Sequence, residues 1–550
     1  MRRVSISGVV AFASAAVSLG CASARIRKAN ELALARADTR VLEGCYECLR
    51  DARDVYARLA VDKNAPRIAK GAPSIVARLF ETEVLLTLRE KELALDARAS
   101  LDRVRALAPR VPATMEPRRI VDMADASLPD GAGTPVKAMD ALQERHRPYL
   151  QKIEDDLTWV ESAPLTPAVR KYIALSLDCS YATRKRPAGD TVNTLAKRRE
   201  IPINAPPLVT YRAADCAKTD TLALERVLHA TPSFHEAGYA LAALNVLYAG
   251  ETGGEEVQRQ LDSAHAHFPK APGVTYLRGY LASLLGDCAD AIRFYERTLA
   301  IEPAHDRAML QMTICQTNMQ LDSAAIATAT RFIALATSNV AEGYYWRASN
   351  RLRRRELDLA RSDIDTAKVR SRNDGSVLTL AGIIEHEQND LGVAEHDLEG
   401  ARSAWQGDGN CTAAFYLGSV LSKAERHTEA AASFDSAMVC YDGRVQAVAL
   451  KIEQVRESTK GAPAFRARRI AMLEEELADR RRRYFTSTYN FASMSARIGN
   501  IPRAEELLAI ASQSPDLTAQ VAKLRDLIAE ATRQPRPAVK DVRAVSPPRR

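Results

Sequence analysis

Apolar and polar residues follow the period of an α-helix along most of the chain, and the pattern is clearest between residues 272 and 303. This segment reads PGVTYLRGYLASLLGDCADAIRFYERTLAIEP and contains two amphipathic patterns that are interrupted at Gly286. Gly279 and Ala291, one in each pattern, are small enough to let two antiparallel helices approach closely, with Tyr295 packing beside them. A proline follows the second pattern, where it ends a helix. The segment therefore predicts a helix–turn–helix unit.

The same pattern recurs through the second half of the chain. Six consecutive units begin at intervals of 34 to 36 residues, and chance does not hold such a period over six units. The units begin at Gly238, Pro272, Asp306, Ala341, Gly375 and Cys411. In the unit that begins at Pro272, the order of small residue, helix break, small residue, aromatic residue and proline resembles the tetratricopeptide repeat. The resemblance implies an all-α fold, a right-handed superhelical solenoid of helix–turn–helix repeats.

The composition suits helices that pack through small residues. Hydrophobic residues make up 46% of the chain and aromatic residues only 6%, and no stretch alternates with the two-residue period of a β-strand. The 77 basic and 69 acidic residues are interleaved and give a net charge of +8. A nucleic-acid-binding protein would cluster its basic residues, so nucleic acid is not an expected partner.

The pattern also predicts how the chain is organised. We expect a signal peptide, weak helical repeats, a loop followed by a helical segment, a Pro-rich polar linker, a clear repeat array and a disordered basic tail. In chain order these segments are 1–24, 25–112, 113–183, 184–213, 214–532 and 533–550. In the weak repeats, Ala52 and Tyr56 are the expected packing residues of the first helix pair. Within the array, the register loosens after Tyr441 into longer charged helices and returns near Phe485.

Residues 1–24 resemble a bacterial export signal, because two arginines precede an apolar run that ends in small residues. Gly20-Cys21 at the end of this run resembles a lipobox, although Ser18 stands where leucine is usual. Lipidation of Cys21 would make the protein an outer-membrane lipoprotein of the cell envelope that faces the periplasm. Cleavage after Ala24 would instead release a soluble periplasmic protein. An uncleaved membrane anchor is the third alternative.

The chain contains nine cysteines, of which Cys45 and Cys48 form one close C-x-x-C pair. Both lie in a helical pattern, and no second C-x-x-C accompanies them. This context favours packing or a local disulfide over a redox couple or a metal site. Cys288 and Cys315 fall where a repeat needs a small buried residue, so we expect core thiols there.

In tetratricopeptide proteins the first helices line an inner surface on which peptides or partner proteins usually lie. The resemblance implies that the residues at the inward-facing positions here bind a partner. These residues are Tyr276, Tyr280, Ser283, Arg307, Asn318, Tyr345, Ser349, Arg353, Thr379, His386, Phe415 and Lys423. Tyrosine supplies amphipathic contact area and asparagine can hold main-chain groups, so the set suits an extended peptide. For any single residue, a solvated helix face is the alternative.

Motifs for catalysis, metals and cofactors are missing from the chain. It has no G-x-S-x-G, P-loop or H-E-x-x-H motif, and His265 and His267 lack a ligand partner at helical spacing. Two basic clusters, residues 351–355 and 480–483, have acidic neighbours. Ion pairs on solvated helix faces are therefore favoured over binding of phosphate, anionic lipid or an acidic partner. The Lys, Asn and Arg pattern with which chaperone-binding members of the family hold a C-terminal carboxylate is also missing.

The sequence thus predicts a non-catalytic scaffold or adaptor, without a cofactor, that holds another envelope protein or peptide in its groove. The alternative is a helical-repeat lipoprotein that binds glycan or peptidoglycan, with Tyr276, Tyr280 and Tyr345 stacking on sugar rings. An enzyme would have to draw acid–base or nucleophilic groups from residues 112–215.

Overall fold

The computed structural model describes residues 7–126, 155–182, 201–217, 220–247, 254–336, 339–371, 374–404, 411–457 and 463–533. All regular secondary structure in these ranges is helical, which confirms the predicted all-α repeat fold. The chain forms two compact units. The first contains residues 1–315 and 334–338, and the second contains residues 316–333 and 339–550.

Each unit is built from helices that follow one another along the chain. The first unit contains α1 (Ser7–Glu43), α2 (Tyr46–Leu59), α3 (Ile75–Glu92), α4 (Arg98–Leu107), α5 (Pro117–Ala126), α6 (155–160), α7 (Pro167–Ala182), α8 (Pro207–Ala217), α9 (Thr221–Ala230), α10 (His235–Leu247), α11 (Gly254–His267), α12 (Pro272–Leu284) and α13 (Cys288–Ile301). Both units receive residues from α14 (Asp306–Asn318) and α15 (Asp322–Leu335). The second unit continues with α16 (Val340–Arg353), α17 (Leu357–Ser371), α18 (Gly375–Glu387), α19 (Leu391–Ala404), α20 (Cys411–Lys423), α21 (His427–Glu457), α22 (Pro463–Arg497), α23 (Ile501–Ala511) and α24 (Thr518–Arg533).

The helix pairs repeat with the predicted period. Four of the predicted unit starts are the first residues of helices, namely Pro272, Asp306, Gly375 and Cys411. Within the pair α12 and α13, Ala291 and Tyr295 are fully buried. A Cβ atom on Gly279 would lie 2.8 Å from the ring of Tyr295. The missing side chain of Gly279 therefore lets these two helices pack closely, as the sequence predicts.

The turns inside the repeats share one backbone geometry. The first helix is followed by a residue with positive φ. The N–H group of the residue after that one donates to the carbonyl oxygen five residues earlier, which is the Schellman motif. Between α20 and α21, Glu425 has a φ of 59° and the Arg426 N–H donates to the Leu421 carbonyl at 2.9 Å. The equivalent positive-φ residues elsewhere are Gly286, Gln320, Arg355, Asn389 and Gly499. Most of these turns thus hold a side-chain-bearing residue in a region that favours glycine.

Residues 207–213 are helical, so the linker prediction is wrong for this part of segment 184–213. They begin helix α8, in which Leu208 is fully buried and Tyr211 is 3% exposed. Gly44 lies directly against this helix. It has a φ of 73°, and a Cβ atom added to it would lie only 2.4 Å from the Leu208 side chain. The proline that suggested a linker instead occupies the start of a helix, where its missing N–H is not needed. Residues 184–200 lie outside the described residues.

A helix also occupies part of the region between residues 112 and 136, where the sequence predicts a loop. Helix α5 begins at Pro117, and its apolar side chains Ile120 and Met123 are buried in the core of the first unit. Here too, proline starts a helix rather than breaking one. The Gly- and Pro-rich residues 128–135 and the tail residues 534–550 lie outside the described residues.

The first two helices, α1 and α2, pack against each other, but the pair begins well before the predicted range of Val41 to Leu59. Ala52 is fully buried and Tyr56 is 2% exposed, which confirms both as packing residues. The backbone of α1 runs through Cys21 and Ala24 as one helix. Export, lipidation of Cys21 and cleavage after Ala24 stay predictions.

Two disulfides are present among the described cysteines. Cys45 and Cys48 are bonded to each other and fully buried, which confirms the local alternative for this pair. Cys411 and Cys440 are also bonded, across 29 residues, and their spacing in the sequence carries no signal for this bond. Cys315 is buried, as predicted, and a hydrogen bond with the half-buried Cys288 raises the pKa of its thiol.

Candidate functional site

The predicted groove residues of the first unit differ in exposure: Tyr276 is buried, Tyr280 and Ser283 are half-buried, and Arg307 is exposed. Tyr276 is 8% exposed, and its ring centroid lies 6.0 Å from that of Tyr295 and 5.0 Å from that of His305. Burial raises the pKa of Tyr276 to about 12. Ser283 donates a hydrogen bond to the Tyr280 carbonyl at 2.7 Å and receives one from the Tyr295 hydroxyl at 3.3 Å. Tyr276 therefore has little surface left for a peptide or a sugar.

Arg307 and Asn318 are exposed, as a binding surface requires, but their part in partner binding stays a prediction.

Two other predicted groove residues of the second unit, Thr379 and His386, are buried. The Thr379 hydroxyl donates to the Gly375 carbonyl at 2.6 Å, and the His386 ring packs against Tyr416 at 5.9 Å. Burial lowers the pKa of His386. Both residues thus contribute mainly to helix packing.

The aromatic and polar residues that remain at the predicted positions of the second unit are partly accessible. Phe415 is half-buried against Tyr416 and Phe434, and Ser349 is also half-buried. Lys423 is exposed, and its Nζ donates to the His386 carbonyl at 3.2 Å.

Arg353 is engaged within the second unit. Its guanidinium donates to the Thr317 carbonyl at 2.9 Å, to Asn350 Oδ1 at 2.8 Å and to the carboxylate of Asp322. The other arginines of the cluster at 351–355 also have acidic partners: Arg351 pairs with Asp363, Arg354 with Glu356 and Arg355 with Glu387. The predicted ion pairing of this cluster is confirmed, although most of its partners lie on neighbouring helices rather than four residues away.

A pair of long helices distinguishes the second unit from a plain repeat array. α21 has 31 residues and α22 has 35, whereas the repeat helices α18 and α20 have 13 each. The start of α21 completes the sixth repeat, and the end of α22 begins a later one. We call the remaining residues, 441–457 of α21 and 463–484 of α22, the helical arm. This arm accounts for the loss of register that the sequence predicts between Tyr441 and Phe485.

The arm forms one wall of a cleft of about 290 Å³, which we call the arm cleft. The opposite wall comes from the first helices of three successive repeats, α16, α18 and α20. The lining residues are Tyr345, Ser376, Thr379, Leu380, Ile383, Cys411, Thr412, Tyr441, Arg444 and Arg480. Two of them, Tyr345 and Thr379, belong to the predicted groove. Tyr441, Arg444 and Arg480 could not be found by repeat position, because these arm residues lie outside the repeat register.

The base of the arm is fixed to the repeats beside this cleft. The Cys411–Cys440 disulfide joins the first residue of α20 to α21. The Thr412 and Tyr441 hydroxyl oxygens, from the next residue on each helix, lie 3.1 Å apart in a hydrogen bond. The arm wall and the repeat wall are thus held together by one covalent bond and one hydrogen bond.

The arm cleft is lined by two arginines and by no acidic residue. Arg444 is exposed and pairs with no acidic residue in the part of the chain that the structure describes. Arg480 is one-third exposed, and its Nη2 lies 3.4 Å from Glu476 Oε1, at the long end of a hydrogen bond. Its Nε is buried and has no hydrogen-bond partner among the described residues. Burial and the nearby Asp374 carboxylate raise the pKa of the Tyr345 hydroxyl, which stays protonated and able to donate.

A second cleft, of about 520 Å³, adjoins the first at Ile383, and we call it the side cleft. It is lined by Gln320, Asp322, Leu352, Arg353, Arg355, Ile383, Glu387 and Tyr416. In this cleft, Arg353 pairs with Asp322 and Arg355 pairs with Glu387. The arm cleft and the side cleft therefore differ in charge: the first is cationic and the second is balanced.

Neither a metal site nor a membrane-spanning helix is found in the described ranges. No group of three or more potential ligands could hold a metal ion there. No helix in the same ranges combines the length and the apolar character that crossing a membrane requires.

Comparisons with known proteins find neither a matching family model nor a matching curated protein. Solved structures of repeat proteins are similar over part of the chain. MamA from Desulfovibrio magneticus RS-1 has 16% identity over 31% of this chain and 96% of that chain, with a TM-score of 0.29. YrrB, a tetratricopeptide protein with an unusual peptide-binding site, has 15% identity over 33% and 91%, with a TM-score of 0.28. PilF from Pseudomonas aeruginosa has 14% identity over 38% and 92%, with a TM-score of 0.34.

Proposed function

We propose that the protein is a non-catalytic scaffold that binds an extended segment of a partner protein on the second unit. The observation that carries this proposal is the arm cleft, which adds an arginine-bearing wall to the face formed by the first helices of the repeats. The side cleft extends the same face beyond Ile383. Two adjoining clefts suit several consecutive residues of an extended chain better than one compact ligand.

The lining of the arm cleft supports a polypeptide rather than a small-molecule ligand. Leu380 and Ile383 provide an apolar floor, while Ser376 and Tyr345 provide hydroxyl groups that can bond main-chain amides. Small-molecule sites are typically enclosed and mostly apolar. This cleft is partly open to solvent and is lined by two arginines, and arginine is enriched where proteins bind proteins.

We further propose that the scaffold works in the bacterial cell envelope, tethered through Cys21. The export-like residues 1–24 support this location, and so do the two disulfides, which persist in oxidising compartments. Intact mass of the protein purified from membranes tests the anchor. A lipid-modified chain that begins at Cys21 is expected. A chain that begins at Arg25 would contradict lipidation and favour the soluble periplasmic alternative.

Site-specific photo-crosslinking tests the partner-binding face. A benzophenone amino acid replaces Ser376, which is exposed and lines the arm cleft, and in a matched control it replaces Val369, which is 83% exposed on a second helix. We expect crosslinks from position 376 that mass spectrometry maps to one short segment of a partner protein, and none from position 369. Equal crosslinking from both positions would contradict a groove-specific partner.

The glycan alternative is tested in the same preparation. It has weaker support, because Tyr276, one of its three stacking candidates, is packed against Tyr295 and His305. Co-sedimentation with purified peptidoglycan, without any protein crosslink from position 376, would favour it over the scaffold proposal.

A further inference from the structure

The arm cleft holds two arginines whose charge the rest of the second unit neutralises only in part. In the cluster at 351–355, every arginine named above has a carboxylate within ion-pairing distance. Arg444 has none in the part of the chain that the structure describes, and Arg480 has only the 3.4 Å contact with Glu476. The buried Nε of Arg480 still lacks an acceptor. Because Nε is buried, a ligand reaches the guanidinium through its solvent-accessible part, and an acceptor placed there pairs with a charge that Glu476 contacts only at 3.4 Å.

The two arginines come from opposite helices of the arm. Arg444 lies on α21 and Arg480 on α22, and both line the same cleft. On the facing wall, the exposed Ser376 supplies a hydroxyl group. Guanidinium groups together with hydroxyl donors form the usual surroundings of a bound carboxylate. The disulfide beside Tyr441 holds the α21 side of this arrangement in place before a ligand arrives, which reduces the entropy lost on binding.

We propose that Arg444 and Arg480 form a subsite for the side-chain carboxylate of an acidic residue in the bound polypeptide. This inference rests on the proposed scaffold function and adds the charge of the partner. The acceptor comes from a partner rather than from the C-terminal segment 533–550 of the chain itself, because that segment has six basic residues and one acidic residue. Neither Glu476, which contacts Arg480, nor the Asp374 carboxylate that caps α18 is among the residues that line the cleft.

Fluorescence anisotropy with labelled peptides tests the subsite in the full-length protein. The peptides share one apolar and serine background and differ only in carrying glutamate, glutamine or lysine at alternate positions. All have blocked termini, so that charge comes from side chains alone. We expect the glutamate peptide to bind roughly tenfold more tightly than the glutamine peptide at low salt and the lysine peptide to bind least. The preference for glutamate should weaken as salt is added, because exposed ion pairs are screened.

Variants on the arm distinguish a subsite from general attraction. Arg444→Gln and Arg480→Gln should each reduce the preference for glutamate severalfold. Arg481→Gln is the matched control, because residue 481 is exposed on the same helix and does not line the cleft. Its preference should be unchanged. Equal losses in all three variants would overturn the subsite and indicate the overall charge of the arm instead. Circular dichroism confirms that each variant keeps its helical content.

The failure of this inference can be told from the failure of the scaffold proposal. Equal binding of the glutamate and glutamine peptides overturns the carboxylate subsite while the scaffold stands. A glutamine peptide with a free C-terminus that binds best of all overturns the assignment to a side chain and identifies a terminal carboxylate instead. Absence of binding by every peptide, together with no crosslink from position 376, contradicts both proposals.

Discussion

Glu385 on helix α18 shows how its surroundings perturb a single carboxyl group in the repeat core. Its side chain is 1% exposed, its Oε2 has no hydrogen-bond partner among the described residues, and the guanidinium of Arg361 is 3.9 Å away. Burial, together with the neighbouring Asp397 carboxylate, raises the pKa of Glu385 to about 7. The nearby Lys368 lowers this pKa, but it also pairs with Asp397 and compensates only part of the effect.

This raised pKa predicts a pH dependence of stability. Between the ordinary value of 4.5 and about 7, the folded chain holds a proton on Glu385 that the unfolded chain has lost. The free energy of unfolding should therefore fall as the pH rises through this window. Glu385→Gln should remove this fall. At pH 8, its free energy of unfolding should exceed that of the parent by about 1 kcal/mol. Urea titrations from pH 5 to pH 8 measure both effects.

Glu399→Gln is the control for this series, because Glu399 lies on the next helix and is exposed. It should leave the pH dependence of the parent intact. If Glu385→Gln follows the same pH profile as the parent, the buried carboxyl is not the group that titrates.

At the scale of elements, the repeat turns combine a fixed geometry with a variable residue. The Schellman bond from Arg426 N to Leu421 O places Glu425 at a φ of 59°, and glycine occupies the same place at residues 286 and 499. A side chain in this region is strained by contact between its Cβ atom and the backbone. The turn therefore forms because the two helices pack against each other, with or without a glycine to favour it.

Replacing Glu425 with glycine should relieve this strain. Glu425 is exposed and makes no ion pair in the described part of the chain, so removing its side chain removes few interactions. We expect Glu425→Gly to stabilise the second unit by about 0.5–1 kcal/mol, since the gain in the turn exceeds the extra entropy of glycine in the unfolded chain. Thermal unfolding measures the shift. Glu425→Ala keeps the Cβ atom and should not stabilise; an equal gain in both variants would point to charge rather than backbone strain.

At the scale of the whole molecule, a buried ionic cluster joins the N-terminal helices to the first repeats within the first unit. Arg89 on α3 is completely buried, and its guanidinium lies 3.6 Å from both Glu92 and Glu236. It also donates to the Gly44 carbonyl at 3.2 Å and lies 4.2 Å from the ring centroid of Tyr211 on α8. One side chain thus connects four parts of the chain that are far apart in sequence.

Removing this charge should loosen the first unit. Arg89→Met leaves the Glu236 carboxylate buried without a cation, whereas Glu92 keeps Arg212 at 3.2 Å, and such a loss costs about 3–5 kcal/mol. Hydrogen exchange measured by mass spectrometry should accelerate in α3, α8 and α10, while α18 to α20 of the second unit keep their rates. Arg98→Met removes an ion pair whose arginine is 87% exposed and should change little. Unchanged exchange in α3 of Arg89→Met would show that the cluster contributes no net stability.

Much of the fold could be predicted from the sequence because it depends on local pattern. The positions of Gly279, Ala291 and Tyr295 predict one helix pair, and the recurring period extends that prediction to the other repeats. The two incorrect predictions, a loop after residue 112 and a linker up to residue 213, both involve prolines. Pro117 and Pro207 each begin a buried helix, and a sequence pattern alone does not distinguish a proline that starts a helix from one in a loop.

The candidate site could be predicted only in part. Repeat position selected Tyr345 and Thr379, which line the arm cleft, and it also selected Tyr276 and Arg353, which the structure engages in packing and ion pairs. It missed Arg444 and Arg480, because these residues lie on the arm outside the repeat register. Which arginine finds a carboxylate depends on how neighbouring helices are placed, and spacing along one helix does not report this.

The sequence by itself determined the helices, their pairing and the period of the array, because those depend on contacts between residues close in the chain. The tertiary structure alone decided which polar groups are satisfied, where the Cys411–Cys440 bond forms and where a cleft opens between the arm and the repeats. These depend on contacts between helices, and the free energy of a charge is set by what surrounds it in space rather than by its neighbours in sequence.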